Sequence, residues 1–271
     1  MSDLSWKEFA AGLVRIISAR PRVPRGRQDN RMLQTILQRR SVRRFRSEPI
    51  SDEDWLVILE AGRLAPSTVN LQTWSFAHFT GEQWREFFGS PLPFDGARGV
   101  VILTDSRRAR RAVPEFPYAP LSEHTIGVMN ASLAAMNMTL AAESMGLGSV
   151  MLSETGRTGF YDARHLAEKL DLPPGVIPIM SMVFGYPEGA PPVMPPKHEL
   201  DSVAFTGRYR ETPEPALQEW VRQMRAGYRA AHKGERFAAK IAYYNRRIDQ
   251  AERDLRGMVF YDGEPGGKPE R

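Results

Sequence analysis

Arg39-Arg40-Ser41-Val42-Arg43-Arg44-Phe45, RRSVRRF, sets four guanidinium groups and one hydroxyl on seven consecutive residues. A planar guanidinium fork can hold a phosphate through two parallel charge-assisted hydrogen bonds, and a serine hydroxyl adds a donor without adding a like charge. Basic heptamers also occur as solvated helix starts. The flanking sequence has to decide between a phosphate grip and an exposed face.

Upstream, Met32 to Gln38 predicts a short helix running into the cluster. Before it, Pro21 to Asn30 is rich in proline, glycine and arginine and reads as a linker or strap. Residues 4–19 place Trp6, Phe9, Leu13, Ile16 and Ile17 on one face, which predicts an amphipathic helix. Downstream, Ser51 followed by Asp54 is an N-cap signal, and Trp55, Ile58, Leu59, Ala61 and Leu64 continue at helical spacing until Pro66. Strands are predicted at 75–79, 99–104 and 176–184, the last two being continuous apolar runs that suit a buried sheet. The basic run Ser106 to Arg111 reads as a solvated loop.

Between the second and third strands, Thr125 to Leu147 is helical in composition and almost wholly small or apolar, with acidic charge only at Glu143. A helix without a polar face has to be covered on every side, by a large core or by a second subunit. It predicts a homodimer with this helix in the interface. Residues 187–197, PEGAPPVMPPK, form a stiff proline-rich arm. From Ala216 to about Met258 the chain reads as helix with a sparse stripe of Leu217, Trp220, Val221, Met224 and Tyr228. Such a tail should pack on the main body or on a partner subunit, and residues 262–271 should be disordered.

The whole chain narrows the chemistry further. Its 271 residues, 42% hydrophobic and 25% charged, suit one main globular domain with appendages. Cysteine is absent, which excludes disulfides, thiolate metal sites, iron–sulfur ligation and a cysteine nucleophile. The five histidines are scattered and none pairs at a metal-ligand spacing, so no metal is expected. No apolar run reaches the roughly 18 to 20 residues of a membrane span. Asp3 and Glu8 near the start are wrong for a secretory signal. The expectation is a cytoplasmic protein without a membrane partner. The net charge of +5 is concentrated between Arg20 and Arg46 and in the tail, which favours a small phosphorylated ligand over nucleic acid.

Four segments now stand in order: RRSVRRF, then APSTVNLQTW (Ala65 to Trp74), LAAESMGLGSVML (Leu140 to Leu152), and FGYPEG (Phe184 to Gly189) followed by the proline arm and Lys197. Together they resemble the nitroreductase and flavin reductase family over about residues 32–210, and within it the NADPH-linked branch that includes oxygen-insensitive nitroreductases. The resemblance implies an α+β fold, with a mixed, largely antiparallel sheet flanked by helices, in a homodimer with a C-terminal helical extension. It divides the chain into an N-terminal helix and basic linker (1–31), an FMN-binding domain (32–210) and the extension (211–271).

By the same resemblance, Arg39, Arg40, Ser41 and Arg43 meet the FMN phosphate and ribityl chain. Arg43 reaches the flavin's N1–O2 edge, where a fixed cation stabilises the negative charge that two-electron reduction leaves. Pro66, Ser67, Thr68 and Asn70 cover the isoalloxazine from the other subunit, and Gln72 bonds its pyrimidine edge. Leu152 and Ser153 offer backbone N–H groups near N5, and Lys197 adds a late contact to the phosphate. The implied activity is ping-pong hydride transfer from NADPH or NADH, through FMN, to a small-molecule acceptor: a nitroaromatic, a quinone or free flavin. Three departures stand out. Thr73 replaces the usual proline of the second motif, Pro195 stands where a second basic residue is usual, and Ser153-Glu154-Thr155 replaces a glycine-rich turn. Glu154 leaves open a specialised dehydrogenase or reductive dehalogenase of one metabolite. Pro195 and the basic stretch leave open a flavin- or nucleic-acid-binding protein without turnover.

Overall fold

The computed structural model describes residues 4–21, 23–115, 119–232 and 237–262. Its early helices begin where side chains satisfy the free N–H groups of a first turn. Ser5 and Glu8 close a reciprocal capping box at the start of α1 (Trp6–Ser18), and Asn30 Oδ1 accepts from Leu33 N at 3.0 Å to start α2 (Arg31–Gln38). The Ser51 hydroxyl accepts from Asp54 N at 3.0 Å, so α3 (Asp52–Arg63) opens with three acids against the positive end of its dipole.

The chain then runs through β1 (Trp74–Thr80), α4 (Gly81–Phe88), β2 (Arg98–Asp105), α5 (Arg107–Ala112), α6 (Pro120–Ser144), β3 (Gly148–Leu152), α7 (Ala163–Lys169) and β4 (Val176–Gly185). After β4 follow α8 (Leu200–Val203), α9 (Glu214–Ala231) and α10 (Phe237–Val259). The sheet order is β1-β2-β4-β3 with every neighbouring pair antiparallel. The parallel element is the bridge between Ser41 and Ser149 on the β3 edge.

β2 and β4 are central, which is why their sequences are unbroken apolar runs. Alternate residues serve two cores. On one face Val100, Ile102, Met182 and Phe184 pack with Trp55 and Ile58 of α3 and Ala131, Ala134, Ala135 and Met138 of α6. On the other, Val101, Leu103, Val150, Leu152 and Val183 pack with Val42, Phe45, Trp84 and Leu166. Each of these large side chains contributes on the order of 1.5–3 kcal/mol by leaving water.

Two sequence expectations change. The run Ser106 to Arg111 is not a loop but lies in α5, where Arg108 bonds Ser75 and Asp105, and Arg110 pairs with Glu123. The helix expected from Ala216 to Met258 is two helices, with residues 233–236 outside those described. Most of the end expected to be disordered, 263–271, also lies outside them.

The chain forms two compact units, one of residues 1–28 and 192–246 and one of residues 29–191 and 247–271. In the first, α1 lies on α9 so closely that a Cβ on Gly12 would stand 2.7 Å from that of Ala226. Arg15 pairs with Glu219 there, and Arg229 lies 4.8 Å over the Phe9 ring. In the second, the later part of α10 is held by Arg164 to Asp254 at 2.9 Å and buries Ala251 and Val259. Among the described residues no helix is long and apolar enough to cross a membrane.

Candidate functional site

The arginine segment is a strand-like strip anchored by its two apolar residues. Val42 and Phe45 are buried, Val42 N donates to Ser149 O at 2.9 Å, and Arg46 N donates to Tyr186 O at 2.9 Å. The intervening polar groups are left at the surface, with Arg43 exposed and Ser41 and Arg39 half-buried. The four arginines do not act alike. Arg40 Nη1 donates to Leu37 O and Arg39 O, both at 2.8 Å, and so closes the C-terminal end of α2. Arg44 pairs with Glu188 at 3.4 Å. Arg43 makes one long contact, 3.5 Å to Ser41 O.

Glu143, near the end of α6, stands in the field of Arg39 and Arg40. Burial pushes its carboxyl above the usual range, and the two arginines pull it part of the way back. Two guanidinium groups thus face one carboxylate that burial has already made reluctant to ionise. Arg39, Arg43 and the Ser41 hydroxyl are a donor set that suits a phosphate.

The loop between α3 and β1 is held in an unusual conformation. Val69 (φ 48°), Asn70 (φ 56°) and Gln72 (φ 48°) are all left-handed, a region that β-branched residues such as valine rarely enter. Its clamp is Asn130 of α6, 2% exposed. Asn130 Oδ1 accepts from Thr68 N at 3.1 Å, and its Nδ2 donates to Thr73 Oγ1 at 2.8 Å. Within the loop Ser67 Oγ accepts from Gln72 N at 3.0 Å, and Gln72 Nε2 donates to Asn70 Oδ1 at 3.4 Å. Pro66, Thr68 and Asn70 are exposed, and Val69 is 84% exposed. Thr73, the departure from the expected proline, supplies the hydroxyl that Asn130 uses.

β3 delivers Leu152 and Ser153 to the end of the sheet edge along which the arginine strip runs. Leu152 is buried and Ser153 half-buried. The chain then doubles back, with Tyr161 N donating to Ser153 O at 3.3 Å. A Cβ on Gly159 would lie 2.2 Å from the Ser153 carbonyl, so only glycine permits this approach. Glu154 points inward beside Arg247 of α10, its side chain 10% exposed.

One compact unit therefore carries the arginine strip, the strained loop and the turn after β3. Lys197 is exposed and belongs to the other unit. Burial holds the His124 imidazole below its usual range. Asn130 and Arg247 escaped the sequence reading. An amide in a largely apolar helix was the available signal for Asn130, one that it shares with Asn137, and α10 carries no local pattern that singles out Arg247.

An antiparallel sheet with an arginine strip on its edge, covered by an apolar helix that clamps a strained loop, defines an α+β protein whose cation cluster suits a phosphorylated ligand. The chain belongs to the nitroreductase family, which it matches over residues 36–186. It is 30% identical to the NADPH-flavin oxidoreductase of Vibrio harveyi over 206 residues, 73% of this chain and 83% of that one. The crystal structure of nitroreductase A from Vibrio parahaemolyticus superposes with a TM-score of 0.70 at 27% identity, covering 85% of this chain and 98% of that one. NADPH:FMN oxidoreductase from Vibrio harveyi, complexed with NAD+, gives a TM-score of 0.64 at 27% identity, covering 80% and 98%.

Proposed function

We propose that this chain is an FMN-dependent NAD(P)H oxidoreductase that works as a cytoplasmic homodimer and reduces planar, electron-poor acceptors: nitroaromatics, quinones or free flavin. The observation that carries the reading is the donor set against the β3 edge, where Arg43 is exposed and Arg39 and Ser41 are half-buried while Val42 and Phe45 fix the strip in the core. Its net positive charge against the single weakened carboxylate of Glu143 fits the phosphate of FMN. Family membership and relatives described as NADPH-flavin and NADPH:FMN oxidoreductases support the same assignment.

When bound, FMN supplies two-electron hydride exchange between a nicotinamide and an acceptor. The protein's part is positioning. Arg39, Ser41 and Arg43 hold the phosphate end, with Arg40 fixing the start of the strip. The loop of Pro66, Ser67, Thr68 and Asn70, preset by Asn130, covers the site from the partner subunit, with Gln72 beside it. Leu152 and Ser153 present backbone N–H groups at the reacting face. Reductant and acceptor would use the same site in turn, and their positioning by these residues would supply most of the rate. The exposed stripe of Leu121, Met129, Leu133 and Met136 on α6 is the face for the second subunit.

The test is the visible spectrum of the purified protein, recorded before and after anaerobic NADPH and NADH. A yellow protein that bleaches is expected, and Arg43→Ala should be colourless or lose FMN at least tenfold more readily, the loss of one charge-assisted contact worth about 1.5–3 kcal/mol. A native protein that stays colourless when FMN is added would overturn the assignment. An Arg43→Ala variant with full occupancy and unchanged rates would remove Arg43 from it.

A further inference from the structure

The helix α1 has two apolar stripes, and the chain itself covers one of them. Gly12 and Ile16 are buried against α9: a Cβ on Gly12 would stand 2.7 Å from that of Ala226, and one on Gly227 would meet Ile16 at 3.3 Å. Trp6, Ala10, Leu13, Val14 and Ile17 fall at i, i+4, i+7, i+8 and i+11, a second stripe separate from Gly12 and Ile16. Trp6 is 73% exposed, Val14 65% and Ile17 61%. The capping box of Ser5 and Glu8 closes the first turn, so this stripe is already helical in the free chain. Beyond Ser18 the surface is basic. Arg20, Arg25 and Arg27 are exposed, and from Lys7 to Arg27 the sequence holds six basic residues against one acid. That acid, Glu8, is turned onto Ser5, accepting from its N–H at 2.9 Å and its hydroxyl at 2.7 Å. Arg20 Nη1 donates to Ile17 O at 2.7 Å, which keeps a guanidinium at the end of the apolar stripe.

We infer that α1 and the Arg20–Arg27 stretch form a docking surface for an anionic lipid bilayer, on which the helix lies without crossing it. A helix of this kind sinks its apolar face about 5–10 Å into the headgroup boundary while flanking lysines and arginines meet acidic headgroups. At 13 residues α1 is far short of a span, which takes roughly 20. The expectation of no membrane partner therefore holds for spans alone. Charge complementarity selects the occupant. A second copy laid on the stripe would bring the same arginines to the contact, where like charges repel. A nucleic acid would engage the arginines and leave Trp6, Val14 and Ile17 in water. An acidic bilayer satisfies both parts of the surface at once.

The test is flotation of the full-length protein with vesicles of phosphatidylcholine alone or with about a third of phosphatidylglycerol, at low and high salt. Partitioning onto the anionic vesicles should exceed that onto the neutral ones at least tenfold and fall steeply as salt screens the arginines. Arg25→Gln/Arg27→Gln should weaken it roughly ten- to thirtyfold. Val14→Gln/Ile17→Gln, at two exposed positions, should weaken it at least tenfold while circular dichroism and particle mass stay native. Tryptophan emission should shift to the blue on anionic vesicles, and Trp6→Phe should abolish the shift while the protein still floats. No flotation with anionic vesicles, equal flotation with neutral ones, or undiminished binding by either double variant would each overturn the inference. So would an emission shift that persists in Trp6→Phe, which would put another face on the lipid. A halved particle mass in Val14→Gln/Ile17→Gln would overturn it by making the stripe a subunit contact. Preferential binding of duplex DNA, unaffected by Val14→Gln/Ile17→Gln, would overturn it by giving the arginines to nucleic acid.

Discussion

Val69 shows how much conformational cost a single residue in this fold carries. A β-branched side chain at φ 48° and ψ 30° costs about 1–2 kcal/mol relative to ordinary backbone. At 84% exposure it makes no buried contact that offsets the strain. Val69→Gly should relieve that cost while widening the freedom of the unfolded chain, an opposing effect of about 0.4–1 kcal/mol. The net expectation is a stabilisation of roughly 0.5–1 kcal/mol, read from the urea midpoint, together with weaker FMN retention because the loop loses its preset shape. An unchanged midpoint would show that the strain is absent in solution. Nothing in Thr68-Val69-Asn70 announces a left-handed valine, because the cause is Asn130, sixty-one positions after Val69. The cap at Ser51 was legible for the converse reason: its partner, Asp54, is three residues away.

Elements whose cause is local could be read in advance, and those shaped by distant contacts could not. The central strands β2 and β4 announced themselves as unbroken apolar runs, since both of their faces are buried. The helix α5 did not, because its arginines read as a solvated loop until Ser75, Asp105 and Glu123 are there to receive them. The turn after β3 belongs to the second kind. Its sequence, Ser153-Glu154-Thr155-Gly156, suggests only a break, whereas its shape depends on Gly159 lying against the Ser153 peptide. Gly159 has extended backbone (φ -141°), so alanine would meet no torsional penalty there, only the collision. Gly159→Ala should therefore destabilise by about 1–3 kcal/mol, the usual cost of overpacking. Flavin binding should weaken in step with the displaced turn. A variant with native melting temperature and native FMN affinity would show that the turn yields without cost.

At the scale of the molecule, α6 raises the question of what covers a helix that has no polar face. Ala131, Ala134, Ala135 and Met138 are fully buried in the chain's own core, but Leu121 (62% exposed), Met129 (56%), Leu133 (45%) and Met136 (43%) are not. An apolar stripe of that length on a single chain marks an interaction surface. The composition of the segment therefore foretold a covered helix, and the fold shows that the chain itself covers only half of it. Leu133→Glu places a charge in the middle of the stripe without disturbing the buried face. If a second copy covers the stripe, the carboxylate would be buried unpaired at the interface, a cost of several kcal/mol, enough to shift a dimer to monomer at micromolar concentration. Sedimentation equilibrium should then give the single-chain mass and circular dichroism a native spectrum. FMN should be lost in the same step, because Pro66–Asn70 would no longer cover the site from the partner. A Leu133→Glu protein that stays dimeric and yellow would place the subunit contact elsewhere. A monomer that keeps its flavin would mean that one chain completes the site alone.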